Sequence, residues 1–257
     1  MTQDIKLYQQ GSGQSLAFIH GWGMNSAVFS PLCQKLDSEF DITRIDLPGH
    51  GQSVWSGYAD FDRQVDAIAE KLPDSTLLMG WSLGGLYAQR LVNRYPQKFN
   101  KLMLVSCNPC FVQRENWMTA VEASIFTEFA ASLMENWQAT IRRFIGLQMF
   151  GVEQARSLIR QITELLMEGG APNPEAMSFG LDLLLKLDAR QDLQKIEIPL
   201  LHVLGQRDVL VPSSLAEQLP LINPAIRVEC VARSAHAPFL SHSDLFADLI
   251  REFVKSP

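Results

Sequence analysis

The sequence predicts an α/β protein with a mostly parallel central sheet, for three reasons. Short apolar strands alternate with helical segments up to residue 110 and again from residue 191, which is typical of a doubly wound parallel sheet. The pentapeptide Gly80-Trp81-Ser82-Leu83-Gly84 stands between a strand and a helix. The region from residue 111 to residue 190 shows only helical periodicity. We therefore expect one α/β core that is interrupted by a helical insertion.

The individual elements follow from local patterns along the chain. The predicted strands are short apolar runs bounded by turn residues: 5–9, 16–19, 41–46, 76–79, 101–106, 198–204 and 226–231. The predicted helices repeat apolar residues every three or four positions, and some end at a proline: 26–36, 61–72, 83–95 and 244–254. We expect the first two strands to pair as a hairpin.

The helical insertion is predicted to form a cap. Its helical periods break at a turn over residues 169–174. An insertion after the strand that follows Ser82 lies over the carboxyl edge of the sheet, where open α/β sheets carry their sites. We therefore divide the chain into an α/β core, 1–110 and 191–257, and a helical cap or lid, 111–190. The alternative is a second helical layer with no role in binding.

Composition places the chain among ordinary globular proteins. It has 257 residues, 47% of them apolar and 19% charged, and a net charge of −6. This negative charge argues against binding to nucleic acid or to an anionic membrane. The first residues do not resemble a signal peptide, and no apolar run approaches the length of a membrane span. We expect a cytoplasmic monomer whose four cysteines are reduced.

The pentapeptide around Ser82 predicts a nucleophile. A serine on a sharp turn from strand to helix is held out at the carboxyl edge of the sheet, with a helix N-terminus behind it. Such a turn is strained and leaves no room for bulky neighbours, which explains why glycine occupies positions 80 and 84. The alternative is a small residue in an ordinary turn.

A serine hydroxyl needs a base, and the base needs a carboxylate that orients it. His236 follows the last predicted strand and lies in a loop at the same edge of the sheet as Ser82, with His242 as its competitor. His202 falls within a predicted core strand and is interpreted as structural. Asp208 follows another strand at this edge. The chain order Ser82, Asp208, His236 is typical of α/β-hydrolases.

An ester-cleaving site also needs donors for the oxyanion. The N–H of Leu83 follows the nucleophile directly and begins a helix. The loop His20-Gly21-Trp22-Gly23 follows an earlier strand, and we assign the second donor to the Trp22 N–H. The Trp22 side chain is interpreted as a pocket wall, or alternatively as simple packing.

Five motifs together resemble the α/β-hydrolase superfamily. They are the pentapeptide, the loop 20–23, Asp46-Leu47-Pro48-Gly49-His50-Gly51-Gln52-Ser53, Gly205-Gln206-Arg207-Asp208 and Ala235-His236-Ala237-Pro238. Within that superfamily the chain is most similar to the carboxylesterases of the biotin pathway. This closer resemblance rests on the first two motifs and the last, together with Arg143-Phe144 and Leu147-Gln148 in the cap.

The closer resemblance implies a substrate and a partner. It implies hydrolysis of the methyl ester of a pimeloyl chain carried on acyl carrier protein, with release of methanol. It also implies that the acyl site is lined by Trp22, Ser82, Leu83, Phe144, Ile145, Gly146, Leu147, Gln148 and His236.

The charge pattern of the cap agrees with an acidic carrier protein as the partner. Between residues 142 and 160 there are four arginines and one acid, a local charge of +3 in a protein of charge −6. We expect these arginines to dock the carrier: Arg142, Arg143, Arg156 and Arg160. The family has a further arginine one turn before Arg143, where this chain has Ala139. The alternative is a solvated helix face.

The sequence therefore predicts a serine carboxylesterase that needs no metal and no organic cofactor. The spacing Cys107-Asn108-Pro109-Cys110 is interpreted as a turn at a strand end, because no second Cys/His pair is near it. One alternative is a general short-chain carboxylesterase or a C–C bond hydrolase, since the same three residues serve those reactions. An alternative of another class is a small-molecule receptor on a hydrolase scaffold.

Overall fold

A seven-stranded sheet runs through the centre of the computed structural model, which describes residues 4–57 and 59–256. The strands are β1 (Leu7–Gly11), β2 (Gln14–Ile19), β3 (Phe40–Ile45), β4 (Thr76–Trp81), β5 (Phe99–Val105), β6 (Leu200–Gly205) and β7 (Ile226–Val231). Their order in the sheet is β1-β3-β2-β4-β5-β6-β7. Only β1 is antiparallel to its neighbour, so the predicted mostly parallel sheet is confirmed.

The predicted hairpin of the first two strands is wrong. Strand β1 pairs with β3, with Leu7 opposite Ile45, while β2 pairs with β3 on its other side. Gly11 and Gly13 explain the crossing, because both have positive φ angles, +85° and +127°. A Cβ on either would lie 2.2 Å from a backbone oxygen at the start of β3. These glycines let the chain pass that strand closely and continue on its far side.

Helices cover both faces of the sheet. They are α1 (Ser30–Leu36), α2 (Phe61–Ala69), α3 (Leu83–Arg94), α4 (Ala123–Gln148), α5 (Ala155–Gly169), α6 (Pro174–Lys186), α7 (Arg190–Gln194), α8 (Leu215–Ile222), α9 (Pro238–Ser241) and α10 (Ser243–Lys255). A 3₁₀ helix, Ser26–Phe29, precedes α1. In the described part of the chain, none of these helices has the length and apolar character needed to cross a membrane.

Helices α4, α5 and α6 occupy the chain between β5 and β6, where the sequence predicts the cap. Helix α4 packs against both of the others. It is broken at Asn136, whose backbone is extended with φ −155° and ψ 87°. The Asn136 side chain accepts a hydrogen bond from the Ala139 N–H at 3.0 Å, so it caps the second half of the helix. Helix α6 likewise begins at a capping residue, Asn173.

The four cysteines are all free thiols. Cys107 and Cys110 are buried in the loop that follows β5, as the turn interpretation expects, and Cys33 is buried in α1. Burial raises the pKa of the Cys33 thiol to about 12, and burial also raises the pKa of the Cys107 thiol from its ordinary value. Cys230 on β7 is exposed.

Candidate active site

Ser82 occupies a strained turn between β4 and α3. Its backbone has φ 54° and ψ −120°, a conformation that residues other than glycine rarely adopt. Its N–H donates to the carbonyl of Val105 at 2.9 Å, which fixes the turn to the neighbouring strand. A Cβ on Gly80 would lie 2.4 Å from the Gly84 oxygen, and one on Gly84 would lie 2.3 Å from the Ile19 oxygen. Only glycine fits these two positions, so the pentapeptide folds as the sequence predicts.

Asp208 and His236 meet in a buried hydrogen bond. The Nδ1–H of His236 donates to Oδ2 of Asp208 at 2.8 Å, and both side chains are almost fully buried. The other carboxylate oxygen, Oδ1, accepts from the N–H groups of Leu210 at 2.8 Å and Val211 at 3.0 Å. The carboxylate is therefore fixed in orientation, and it fixes the imidazole with its proton on Nδ1.

His236 lies directly beside the Ser82 turn. Its carbonyl accepts a hydrogen bond from the indole N–H of Trp81 at 2.8 Å, and its ring centroid lies 5.8 Å from that of Trp81. Its N–H donates to the carbonyl of Gln148, the last residue of α4, at 3.1 Å. The Nε2 atom is buried and has no hydrogen-bond partner among the described residues. A hydrogen bond from the serine hydroxyl is therefore not formed here, and such bonds often tighten only when substrate binds.

The other histidines lie in different surroundings. His242 is half-buried at the start of α10 and its Nδ1 lies 2.9 Å from the Ser241 hydroxyl. His202 is buried within β6, as predicted, with Nε2 2.8 Å from the carbonyl of Cys107. Burial lowers the pKa of His202 to about 4, so its ring is neutral near pH 7.

The loop that follows β2 lies against the serine. A Cβ on Gly21 would be 3.2 Å from the Cβ of Ser82. His20 is buried, and its Nε2 accepts from the Leu47 N–H at 3.0 Å. Its Nδ1 must therefore carry the proton, and it donates to the carbonyl of Gly21 at 2.8 Å. In a trans peptide the N–H points opposite to the carbonyl, so this bond orients the N–H of Trp22.

The two predicted oxyanion donors, the N–H groups of Trp22 and Leu83, have no hydrogen-bond partner within the described residues. Leu83 follows the serine and begins α3, so its N–H is one of the unpaired donors at a helix start. A pair of free N–H groups beside a serine suits a developing negative charge.

The Trp22 side chain is buried against helices α4 and α6. Its ring meets the edge of Phe144 with centroids 5.0 Å apart. Its indole N–H donates to the carbonyl of Met177 in α6 at 2.8 Å. A Cβ on Gly180 would lie 2.8 Å from Trp22 and 3.1 Å from Leu83. Helix α6 therefore packs closely on both residues that carry the predicted donors.

The predicted acyl-binding segment 144–148 divides between two sides of α4. Phe144, Ile145 and Gln148 are buried, and the side-chain oxygen of Gln148 has no partner in the described part of the chain. Gly146 and Leu147 are half-buried. A Cβ on Gly146 would have no atom within 4 Å, so this residue lies on the open side of the helix. The structure does not bring it to the wall formed by Phe144.

Sequence reasoning missed the residues of α6 and the residue Asn25. Gly180 sits inside a helical pattern, and such a glycine can indicate the close approach of another group. Met177 contributes through its backbone carbonyl, for which the sequence carries no signal. Asn25 is buried and bonds to a residue 141 positions away.

The four arginines of the predicted docking surface are all exposed. The Arg143 guanidinium lies over the ring of Phe129, 5.6 Å from its centroid. Arg160 pairs with Glu164 at 3.7 Å, an exposed contact of small energetic value. No group of three or more potential metal ligands exists among the described residues.

Comparison with known proteins gives matches over almost the whole chain. Residues 16–249 match the model of the alpha/beta hydrolase family. Two similar curated proteins carry the name pimeloyl-[acyl-carrier protein] methyl ester esterase. The one from Aliivibrio salmonicida is 33% identical over 99% of this chain and 97% of its own length. The one from Shewanella woodyi is 37% identical over 96% of each chain.

The solved structures give the same fold. An esterase from Exiguobacterium antarcticum superimposes with a TM-score of 0.90, covering 99% of this chain and 96% of its own. The two sequences are 22% identical, so this likeness bears on the fold alone.

Proposed function

This chain belongs to the alpha/beta hydrolase family, and from that membership we propose that it is a serine carboxylesterase. The observation that carries the proposal is the 2.8 Å bond between His236 and Asp208 beside the strained Ser82 turn. A buried imidazole with a fixed carboxylate on one nitrogen and an unpaired second nitrogen suits a general base. No metal or organic cofactor is needed for this chemistry.

The geometry supports a two-step reaction. The Ser82 oxygen attacks the ester carbonyl carbon while Nε2 of His236 takes the hydroxyl proton. The N–H groups of Trp22 and Leu83 stabilise the negative oxygen of the tetrahedral intermediate. The intermediate expels the alcohol, which takes the proton from His236, and leaves an acyl-serine. Water then attacks the acyl group with His236 again as the base and releases the acid.

The substrate we propose is the methyl ester of pimeloyl-[acyl-carrier protein], which is cleaved to the free carboxylate and methanol. Relatives with that printed substrate are 32–38% identical over nearly the full length of this chain. The apolar wall of Trp22 and Phe144 suits an acyl chain. Because the motifs of the chain resemble the carboxylesterases of the biotin pathway, we propose that the reaction belongs to biotin synthesis.

We further propose that the cap arginines dock the carrier protein. The exposed side chains of Arg142 and Arg143 on α4 and of Arg156 and Arg160 on α5 place positive charge on an otherwise acidic enzyme. Carrier proteins of this kind are acidic, so the two charges would speed and orient the encounter.

The first experiment tests the nucleophile. Ser82→Ala should abolish hydrolysis of both the carrier-bound methyl ester and a p-nitrophenyl ester while the protein stays folded. Ser157→Ala, on the exposed face of α5, is the matched control and should keep wild-type rates. Turnover by Ser82→Ala at the wild-type rate would contradict the proposed mechanism. Binding without repeated turnover by the wild type would instead favour the receptor alternative.

The second experiment tests the carrier. Reversing Arg143, Arg156 and Arg160 to Glu should raise KM for the carrier-bound ester about tenfold and leave KM for a p-nitrophenyl ester within twofold. The control is reversal of three exposed lysines outside the cap, Lys71, Lys195 and Lys255, which changes the net charge equally. Equal losses on both substrates, or an equal loss in the control, would contradict docking at this surface. A wild type that prefers free short esters would favour the general esterase alternative.

A further inference from the structure

Two side chains of the core bond the backbone of the loop that carries the Trp22 N–H, one at each end of the loop. At its start, His20 holds the carbonyl of Gly21 at 2.8 Å. At its end, the buried carboxylate of Asp46 accepts from the N–H of Ser26 at 2.8 Å. Between these points, the one backbone bond found within the described loop runs from the Met24 N–H to the Gly21 carbonyl at 3.3 Å. The middle of the loop therefore depends on what packs against it.

The cap supplies that packing. Gly23 has φ +69°, and a Cβ on it would lie 3.3 Å from the end of the Met177 side chain in α6. The Ile141 side chain of α4 is 3.9 Å from the same point. The Trp22 indole also bonds to the Met177 carbonyl. The loop therefore packs against two helices of the cap, α4 and α6.

Asn25 joins the loop to the cap and to the core with a single buried amide. Its Oδ1 accepts from the Ala27 N–H at 3.1 Å and so caps the 3₁₀ helix of the core. Its Nδ2 donates to the carbonyl of Leu166, in the last turn of α5, at 3.0 Å. A Cβ on Gly169 would lie 2.1 Å from this Nδ2, so the end of α5 is seated directly on the amide.

We propose that Asn25 is a positioning residue for the oxyanion hole: His20 orients the Trp22 N–H at the start of the loop, and the Asn25 amide, bonded to α5, holds the end of the loop so that this N–H stays aligned. The proposal rests on the function proposed above. Oxyanion donors act through alignment fixed before the reaction, and small displacements of such groups lower the rate steeply.

Gln52 provides a control at the same end of α5. Its side-chain Nε2 donates to the carbonyl of Gly169 at 2.9 Å, so it also ties the core to the end of α5. It belongs to the loop after β3 and has no bond to the Trp22 loop among the described residues. A general loosening of the cap would follow from losing either bond, whereas a displaced Trp22 N–H would follow only from losing the Asn25 bond.

The experiment compares Asn25→Asp with Gln52→Glu. Each change replaces an amide donor by a carboxylate oxygen facing a carbonyl at the same helix end. Asn25 is buried whereas Gln52 is exposed, so the charge itself costs more at Asn25, and an uncharged Asn25 variant is needed beside the first. Aspartate keeps the acceptor that caps the 3₁₀ helix. Asn25→Ser also keeps a capping oxygen, adds no charge and is too short to reach Leu166, so it separates loss of the bond from burial of a charge.

For either Asn25 variant we expect kcat on a p-nitrophenyl ester to fall about tenfold with KM within twofold. Affinity for a trifluoromethyl ketone, which forms an oxyanion on the serine, should fall by the same factor. Gln52→Glu should leave both quantities within twofold of wild type. Thermal unfolding of each variant checks that it is folded.

Two results would overturn the proposal. Folded Asn25 variants with wild-type kcat and ketone affinity would do so, and so would an equal loss in Gln52→Glu, because the bond would then act only by holding the cap. A wild-type protein without turnover overturns the proposed esterase function and this inference with it. Turnover by the wild type together with unchanged Asn25 variants overturns the inference alone.

Discussion

Replacing Asp208 by asparagine tests the mechanism at the bond that carries it. The Oδ1 atom of Asp208 accepts two backbone N–H bonds, from Leu210 and Val211. In Asp208→Asn the carbonyl oxygen of the amide must stay on these donors, so the NH₂ group faces His236. The imidazole then accepts on Nδ1 and carries its proton on Nε2, where it cannot act as a base toward Ser82.

The structure bounds the size of the effect. The variant escapes the wrong tautomer only by turning its amide around, which leaves the two buried N–H donors without an acceptor. Each such donor costs about 1–3 kcal/mol, so the turned state is disfavoured by about 2–6 kcal/mol. At about 1.4 kcal/mol per tenfold, kcat should fall by a factor between about 30 and about 10⁴. The equivalent change in serine proteases lowers kcat by about 10⁴.

The assay is steady-state hydrolysis of a p-nitrophenyl ester, with the carrier-bound ester as a second substrate. KM should change little, because the carboxylate does not touch substrate in the proposed reaction. Asp244→Asn is the control, since that side chain is 89% exposed. A folded Asp208→Asn enzyme with kcat within tenfold of wild type would refute the tautomer argument.

Two further predictions concern the packing around the site. Because burial lowers the pKa of His202 from 6.5 to about 4, its neutral form stabilises the fold fully above pH 6.5, and that contribution is lost as the pH falls toward 4. The variant His202→Gln can still donate a hydrogen bond to the carbonyl that His202 bonds, but it does not titrate. The slope of its unfolding free energy against pH should therefore be smaller than that of the wild type by up to about 1.4 kcal/mol per pH unit between pH 6.5 and 4.5. An unchanged slope, measured by urea denaturation at several pH values, would contradict this. Gly180→Ala places a methyl 2.8 Å from Trp22 and should lower the unfolding free energy by about 1–3 kcal/mol. In Gly146→Ala the added methyl meets nothing within 4 Å, so this variant should raise the unfolding free energy by about 0.5–1 kcal/mol. If urea denaturation gives the same change in unfolding free energy for both variants, the close contact with Trp22 does not determine the effect.

The sequence predicts the parts of the site that are encoded locally. The glycines around Ser82 are required by the turn itself, and Asp208 and His236 each follow a strand at the same edge of the sheet. Local patterns therefore locate the three side chains, because parallel strands bring their carboxyl ends together. The 2.8 Å bond between the acid and the histidine agrees with that placement, while the catalytic roles of the three residues stay predictions.

Contacts between distant segments could not be predicted in this way. The pairing of β1 with β3 rather than β2 depends on two glycines that pass the start of β3, and a short apolar run does not encode its partner strand. The bond from Asn25 to Leu166 spans 141 positions, and its acceptor is a backbone carbonyl that any residue would supply. The break of α4 at Asn136 is also hidden, because apolar spacing continues through it.

The single exposed thiol makes the protein suitable for fluorescent labelling without further cysteine replacement. Cys33, Cys107 and Cys110 are buried, whereas Cys230 is exposed on β7, the edge strand of the sheet. Partial burial raises the pKa of Cys230, so a maleimide dye would couple best in mildly alkaline buffer. A second dye placed on α5 through an unnatural amino acid would form an energy-transfer pair with it, and the distance between the two dyes would report whether α5 moves relative to the sheet during turnover.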